Sequence, residues 1–242
     1  MCRLIPFLCL AALGGLSAGP SLGQEPAPGS AKAPKMIPGP FRAYVVTDNR
    51  YEPTDERNRS GKPHCSVCEY GLHPAVMVVA RSVPESADGP LAKLLQGLEQ
   101  PVQPRGEEQT GPSRPHDFGT FAIFLNLEDA YPDDPIREQR VAQAAAFGRA
   151  LKPKWVTLAI AEKTVSDKDG KKVPSPKLEL YGIAEGDEVT VLFYDDLKIL
   201  NRWTFTADKP LTDADVRAIL AEVDKHLAPK PRGTVASRGE AS

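Results

Sequence analysis

The sequence is short of several things that define large protein classes. Only four of its 242 residues are cysteine, aromatics make up 7%, and 30 basic residues against 32 acidic ones leave it near neutral. A balanced charge gives no polyanion-binding signature, so nucleic acid is not an expected partner. There is no Gly-rich phosphate loop and no G-x-S-x-G elbow, which removes two large enzyme classes. The one N-terminal apolar run, Leu4 to Leu16, is too short to cross a bilayer comfortably and is interrupted by Pro6, Gly14 and Gly15. What is abundant is proline: 24 residues, about twice the usual share of ~5%, so much of the chain must be loop or linker.

Arg3, the apolar run and the small residues Ser21-Leu22-Gly23 form the three zones of a signal peptide, with cleavage expected after Gly23. Cleavage would remove Cys2 and Cys9 and leave Cys65 and Cys68 as the cysteines of the mature chain. An exported product, periplasmic or extracellular and with no stable membrane span, sits where disulfides persist, and an even cysteine count fits a pair. Residues 24–40 carry five prolines among Ala, Gly and Lys and read as a linker. One domain is expected over 41–228, followed by a disordered polar tail over 229–242.

Inside that domain, Phe41 to Thr47 reads as a strand and is followed by a charged stretch from Asp48 to Lys62. Its Asn58-Arg59-Ser60 sequon is read as coincidence. Ala75 to Ala80 is a short continuous apolar run of a strand buried on both faces. Leu91, Leu94, Leu95 and Leu98 mark a short helix opened by Pro90, and residues 101–115 are a polar, proline-rich loop expected to be disordered. Phe121 to Leu127 is a strand, Asp134-Pro135 opens a helix through Leu151, and Trp155 to Ile160 is a further strand. Val189 to Tyr194 and Leu197 to Phe205 flank Asp195-Asp196 as a hairpin. Thr212 with Asp215 caps a last helix whose stripe is Val216, Ile219, Leu220, Val223 and Leu227. This order predicts an α/β fold: a mixed sheet with helices on both faces, right-handed crossovers and an antiparallel edge.

The closing unit, Tyr181 to Tyr194, an acidic turn, Leu197 to Phe205 and the helix from Thr212, resembles the thioredoxin-like superfamily, and Cys65-Ser66-Val67-Cys68 adds that family's CxxC motif. The resemblance implies a thioredoxin-like sheet flanked by helices and a thiol–disulfide oxidoreductase acting on a protein disulfide or thiol, with Cys65 attacking and Cys68 resolving. It calls for no cofactor. Two features depart from the family. Its cis-proline would fall in Glu185-Gly186-Asp187-Glu188, where no proline occurs, and its CxxC follows a strand, whereas Cys65 and Cys68 precede the strand at 75–80. That order puts the pair at the opposite end of the sheet. The usual placement would need Phe41 to Thr47 as the strand before the site and residues 65–82 as its helix, against their valine-rich character.

Other chemistries stay open at the same cysteines. The two-residue spacing suits a redox dithiol, an inert structural disulfide in a non-catalytic binding module, or a metal pair, with His64 and His73 as further ligands. Lys62 and His64 are the neighbouring cations that would favour a thiolate. Glu128, Asp129, Asp133 and Asp134 follow a strand and are expected to be a solvated loop and cap. Asp167 to Gly170 is a turn, Trp155 and Trp203 pack in the core, and His116 and His226 lie at the surface.

Overall fold

The computed structural model describes residues 34–99, 118–128 and 135–227. Thirteen elements follow one another among them: β1 (Ala43–Thr47), β2 (Pro63–His64), α1 (Ser66–Tyr70), β3 (Ala75–Ala80), α2 (Pro90–Glu99), β4 (Gly119–Glu128), α3 (Pro135–Leu151), β5 (Thr157–Ser166), β6 (Lys172–Pro174), α4 (Pro176–Leu180), β7 (Asp187–Asp195), β8 (Lys198–Thr206) and α5 (Asp213–Leu227). The sheet runs β2-β1-β5-β4-β3-β7-β8, with β6 added to the end of β5. β3, β4 and β5 are parallel neighbours; β7 joins β3 antiparallel, and β1 joins β5 antiparallel.

The strand expected at 75–80 is there with those bounds, and all six of its residues are buried. It lies between β4 and β7, so both of its faces meet core: Val76, Val78 and Ala80 enter one cluster, and Ala75, Met77 and Val79 the other. A strand with two buried faces has no polar side to alternate with, which is why its sequence reads as one apolar run.

The long helices share one face. Leu94, Leu95 and Leu98 of α2, Ala144 and Phe147 of α3, and Val216, Ile219 and Val223 of α5 pack into the same cluster. Right-handed crossovers explain this, because β3, β4 and β5 advance across the sheet in one direction and their two connecting helices must fall on one side. The other face is covered by short pieces: Val67 of α1, Leu178 of α4, Ile37, Phe41 and Tyr181. Helices therefore lie on both faces, as expected, but unequally.

Several local expectations are extended or corrected. β5 continues beyond Ile160 to Ser166 and pairs with β6, so the Asp167–Gly170 turn, in which Asp167 Oδ1 accepts the N–H groups of Asp169 and Lys171, closes a hairpin. In the β7–β8 hairpin the left-handed positions are Asp196 and Leu197, with φ of 51° and 60°. Thr212 and Asp215 form the reciprocal cap of α5: Thr212 N–H donates to Asp215 Oδ2 and Asp215 N–H to Thr212 Oγ1. His226 is not a free surface histidine; its Nε2 lies 3.0 Å from Asp195 Oδ2 and its ring packs edge-on to Phe193. Asn58 is buried, its amide donating to the carbonyls of Asp48, Tyr51 and Glu52, so the sequon's side chain is occupied inside the loop. The expected leader, the 101–115 loop, Asp129, Asp133, Asp134, His116 and the tail lie outside the described residues.

Candidate functional site: the Cys65–Cys68 disulfide

Cys65 and Cys68 form a disulfide, with Cα atoms 5.2 Å apart. The pair opens α1. Cys65 is its N-cap in extended conformation, and the Cys65 Sγ accepts the N–H of Cys68 at 3.1 Å, filling the place that a Ser or Asp oxygen commonly takes. Gly71, at a φ of 56°, ends the helix one turn later and returns its N–H to Val67 O. A five-residue helix is too short to hold itself. Its neighbours fix it: Val67 is buried in the cluster that takes Ala75, Met77 and Val79 of β3, hereafter the lower core, and the Tyr70 ring stacks on Phe121 at 5.9 Å. That stacking needs a glycine beneath it, because a Cβ on Gly119 would fall 2.3 Å from the Tyr70 ring.

The two sulfurs are not equivalent. Cys65 is 8% exposed and belongs to the lower core, whereas Cys68 is exposed. The exposures run opposite to the order of roles that the resemblance implies, in which the first cysteine meets the substrate.

A polar cluster stands beside the pair. Arg50 donates from Nε to Asp48 Oδ1 at 2.8 Å and from Nη2 to Asp48 Oδ2 at 3.0 Å, a two-pronged contact. Its Nη1 donates to Tyr70 Oη at 2.7 Å and lies 3.0 Å from Glu69 Oε1. Glu69 also receives His64 Nε2 at 2.8 Å. The Asp48 side chain is fully buried and that of Arg50 is 9% exposed. Burial opposes charge on both. For Arg50 the hydrogen bond to Asp48 and the fields of Tyr70, Glu69 and Asp48 more than offset it, so its pKa is raised. Asp48 is likewise held below its ordinary value, since Arg50 and the N–H groups of Arg59 and Arg50 outweigh desolvation.

Of the cations the sequence suggested, Lys62 donates to Asn58 O and His64 turns to Glu69. The buried cation of the cluster is Arg50, whose grip on Glu69 spans nineteen residues and leaves no short-range pattern. Among the described residues, no group of three or more His, Cys, Asp or Glu side chains comes together to hold a metal. His73 is exposed, and both sulfurs are spent on each other.

The pair lies where the parallel strands begin. The Pro74 carbonyl just before β3 accepts the N–H of Gly119 at the start of β4, and Leu72 O accepts the N–H of Asp196 in the β7–β8 turn. At the opposite end, where β3 feeds α2, residues 81–89 contain no cysteine. There Arg81 donates from Nε to Asp187 O and from Nη2 to Ala184 O, tying the end of β3 to the segment before β7. A cavity of about 460 Å³ lies beside it, lined in part by Arg81, Thr164, Leu178 and Ile183. The alternative placement, with residues 65–82 as one helix, is excluded by β3.

No family model and no curated protein matches the chain. Solved structures do. A secreted Mycobacterium tuberculosis disulfide oxidoreductase homologous to E. coli DsbE is 10% identical, covering 75% of this chain and 95% of its own at a TM-score of 0.41. Copper-bound ScoI of Arabidopsis thaliana is 12% identical over 79% and 98%, with a TM-score of 0.39. Peroxidoxin BcpB of M. tuberculosis is 14% identical over 80% and 96%, with a TM-score of 0.40. Its two parallel crossovers, its antiparallel β7–β8 pair and its closing helix make it an α/β chain with a central mixed sheet flanked by helices.

Proposed function

We propose that this is an exported thiol–disulfide exchange protein working through Cys65 and Cys68 at the end of the sheet where β3 begins. The observation that carries the reading is the asymmetry of the pair: Cys68 is open to solvent, while buried Cys65 has a backbone N–H donor already aimed at its sulfur. A partner thiolate attacks Cys68 Sγ in line with the S–S bond. That bond breaks, and its electron pair passes to Cys65 Sγ, which leaves as a thiolate favoured by the Cys68 N–H. A second partner thiol then displaces Cys68, so the partner ends as a disulfide and this chain as a dithiol, two electrons and two protons having moved. In reverse, Cys68 attacks a partner disulfide and Cys65 resolves the intermediate. The leader pattern and a disulfide as the resting form both fit an oxidising compartment.

Burial of Cys65 is also what an inert structural pair would show. Energetics favour exchange: a ring closed over four residues removes only about 2 kcal/mol of chain entropy, well short of what a long-range link supplies. The test is trapping in the exported fraction. With Cys65→Ser, mixed disulfides should accumulate on Cys68 because the resolving sulfur is gone. With Cys68→Ser few should form. Absence of adducts from both variants would leave the non-catalytic module as the correct reading.

A further inference from the structure

The Arg50 cluster grips the two residues that follow Cys68. We infer that Arg50 is a positioning residue for the cysteine pair, holding α1 so that the two sulfurs stay in register when the disulfide is open. This rests on the exchange reading above only in what the pair is for; the coupling itself is a property of the disulfide.

The argument starts from the length of α1. Five residues cannot sustain a helix alone, and the oxidised ring supplies part of the constraint by joining the N-cap to the third helical residue. When the ring opens, the restraints that stay include the burial of Val67, the stacking of Tyr70 on Phe121, the His64 contact with Glu69 and the Arg50 contacts with Glu69 and Tyr70. Arg50 is suited to the task because Asp48, with no exposed side-chain surface, fixes its guanidinium from the other side through two parallel bonds. Asp48 is itself held by the N–H of Arg59 at 3.2 Å and gives its own N–H to Ser60 Oγ. A rigid loop thus presents a fixed fork to α1. Loss of the fork frees the reduced segment more than the oxidised one, which the ring still restrains, so disulfide formation becomes less favourable.

The experiment is a redox titration of the full chain in glutathione buffers, reading the fraction of the Cys65–Cys68 disulfide, with Arg50→Lys, Arg50→Met and Tyr70→Phe beside the wild type. Arg50→Lys keeps the charge and loses the fork. Positioning predicts that Arg50→Lys shifts the equilibrium about tenfold toward the dithiol, ~30 mV for two electrons, nearly as far as Arg50→Met. Tyr70→Phe, which alters no charge in the cluster, should shift it the same way by a smaller factor. A wild-type midpoint for Arg50→Lys with a shifted Arg50→Met would overturn positioning in favour of a charge effect. If the Arg50 variants do not fold, Tyr70→Phe decides: a midpoint equal to wild type overturns the inference. Because glutathione is the probe, this outcome is separate from whether partner proteins are trapped in the exported fraction.

Discussion

Asp48 and Arg50 make the site sensitive to acid. The Asp48 carboxyl lies below its ordinary value of 3.8 in the fold, so its contribution to stability is complete above that value and is lost as pH falls toward the lowered one. The protein should therefore lose stability below about pH 4, and Asp48→Asn should be less stable than wild type at neutral pH but flatter across that acid range; melting curves at several pH values check both. Gly119 is the other sensitive residue. Gly119→Ala would drive a methyl group into the Tyr70 ring, and by overpacking it should cost about 1–3 kcal/mol in denaturant unfolding. At this scale the sequence disclosed what is local. Cys65 and Cys68 show by their spacing and Thr212 with Asp215 by theirs, whereas Arg50, Glu69 and Tyr70 meet only once β1, its loop and α1 are assembled.

Among elements, the apolar runs and stripes were legible where one physical requirement dominated. β3 must be apolar because both its faces are covered, and α5 shows a clear stripe because one face packs and the other is wet. The short pieces were hidden for the converse reason. β2, α1, β6 and α4 have two to five residues each, too few for any period, and tertiary contacts hold them. Helix docking offers a direct check. Gly97 of α2 lies against Leu220 of α5, where an added Cβ would come within 2.3 Å of its methyl group. The atom met is the tip of the half-buried Leu220 side chain, so Gly97→Ala should be accommodated by a swing of Leu220. It should shift unfolding by less than about 1 kcal/mol, because alanine's better helix propensity offsets the displaced contact, and leave the glutathione midpoint of the disulfide unchanged. Thr212→Ala, by removing the cap of α5, should cost ~1 kcal/mol by thermal unfolding.

Across the whole molecule, the cysteine pair and the carboxyl ends of the parallel strands stand at opposite ends of the sheet. The order of Cys65, Cys68 and the strand at 75–80 foretold that separation; the inversion of burial within the pair was beyond the sequence, because it depends on how Val67 docks α1 against the lower core. The central claim is that a native, folded chain exchanges this disulfide through Cys68. The most direct measurement is the mass of the full chain after brief exposure to reduced glutathione without denaturant, acid quenching and thiol alkylation. The account predicts that Cys65 and Cys68 both become alkylated, as peptide mapping reads, in protein that keeps its folded spectrum, with a transient glutathione adduct mapping to Cys68. Resistance of the pair until denaturant is added, or an adduct confined to Cys65, would contradict it.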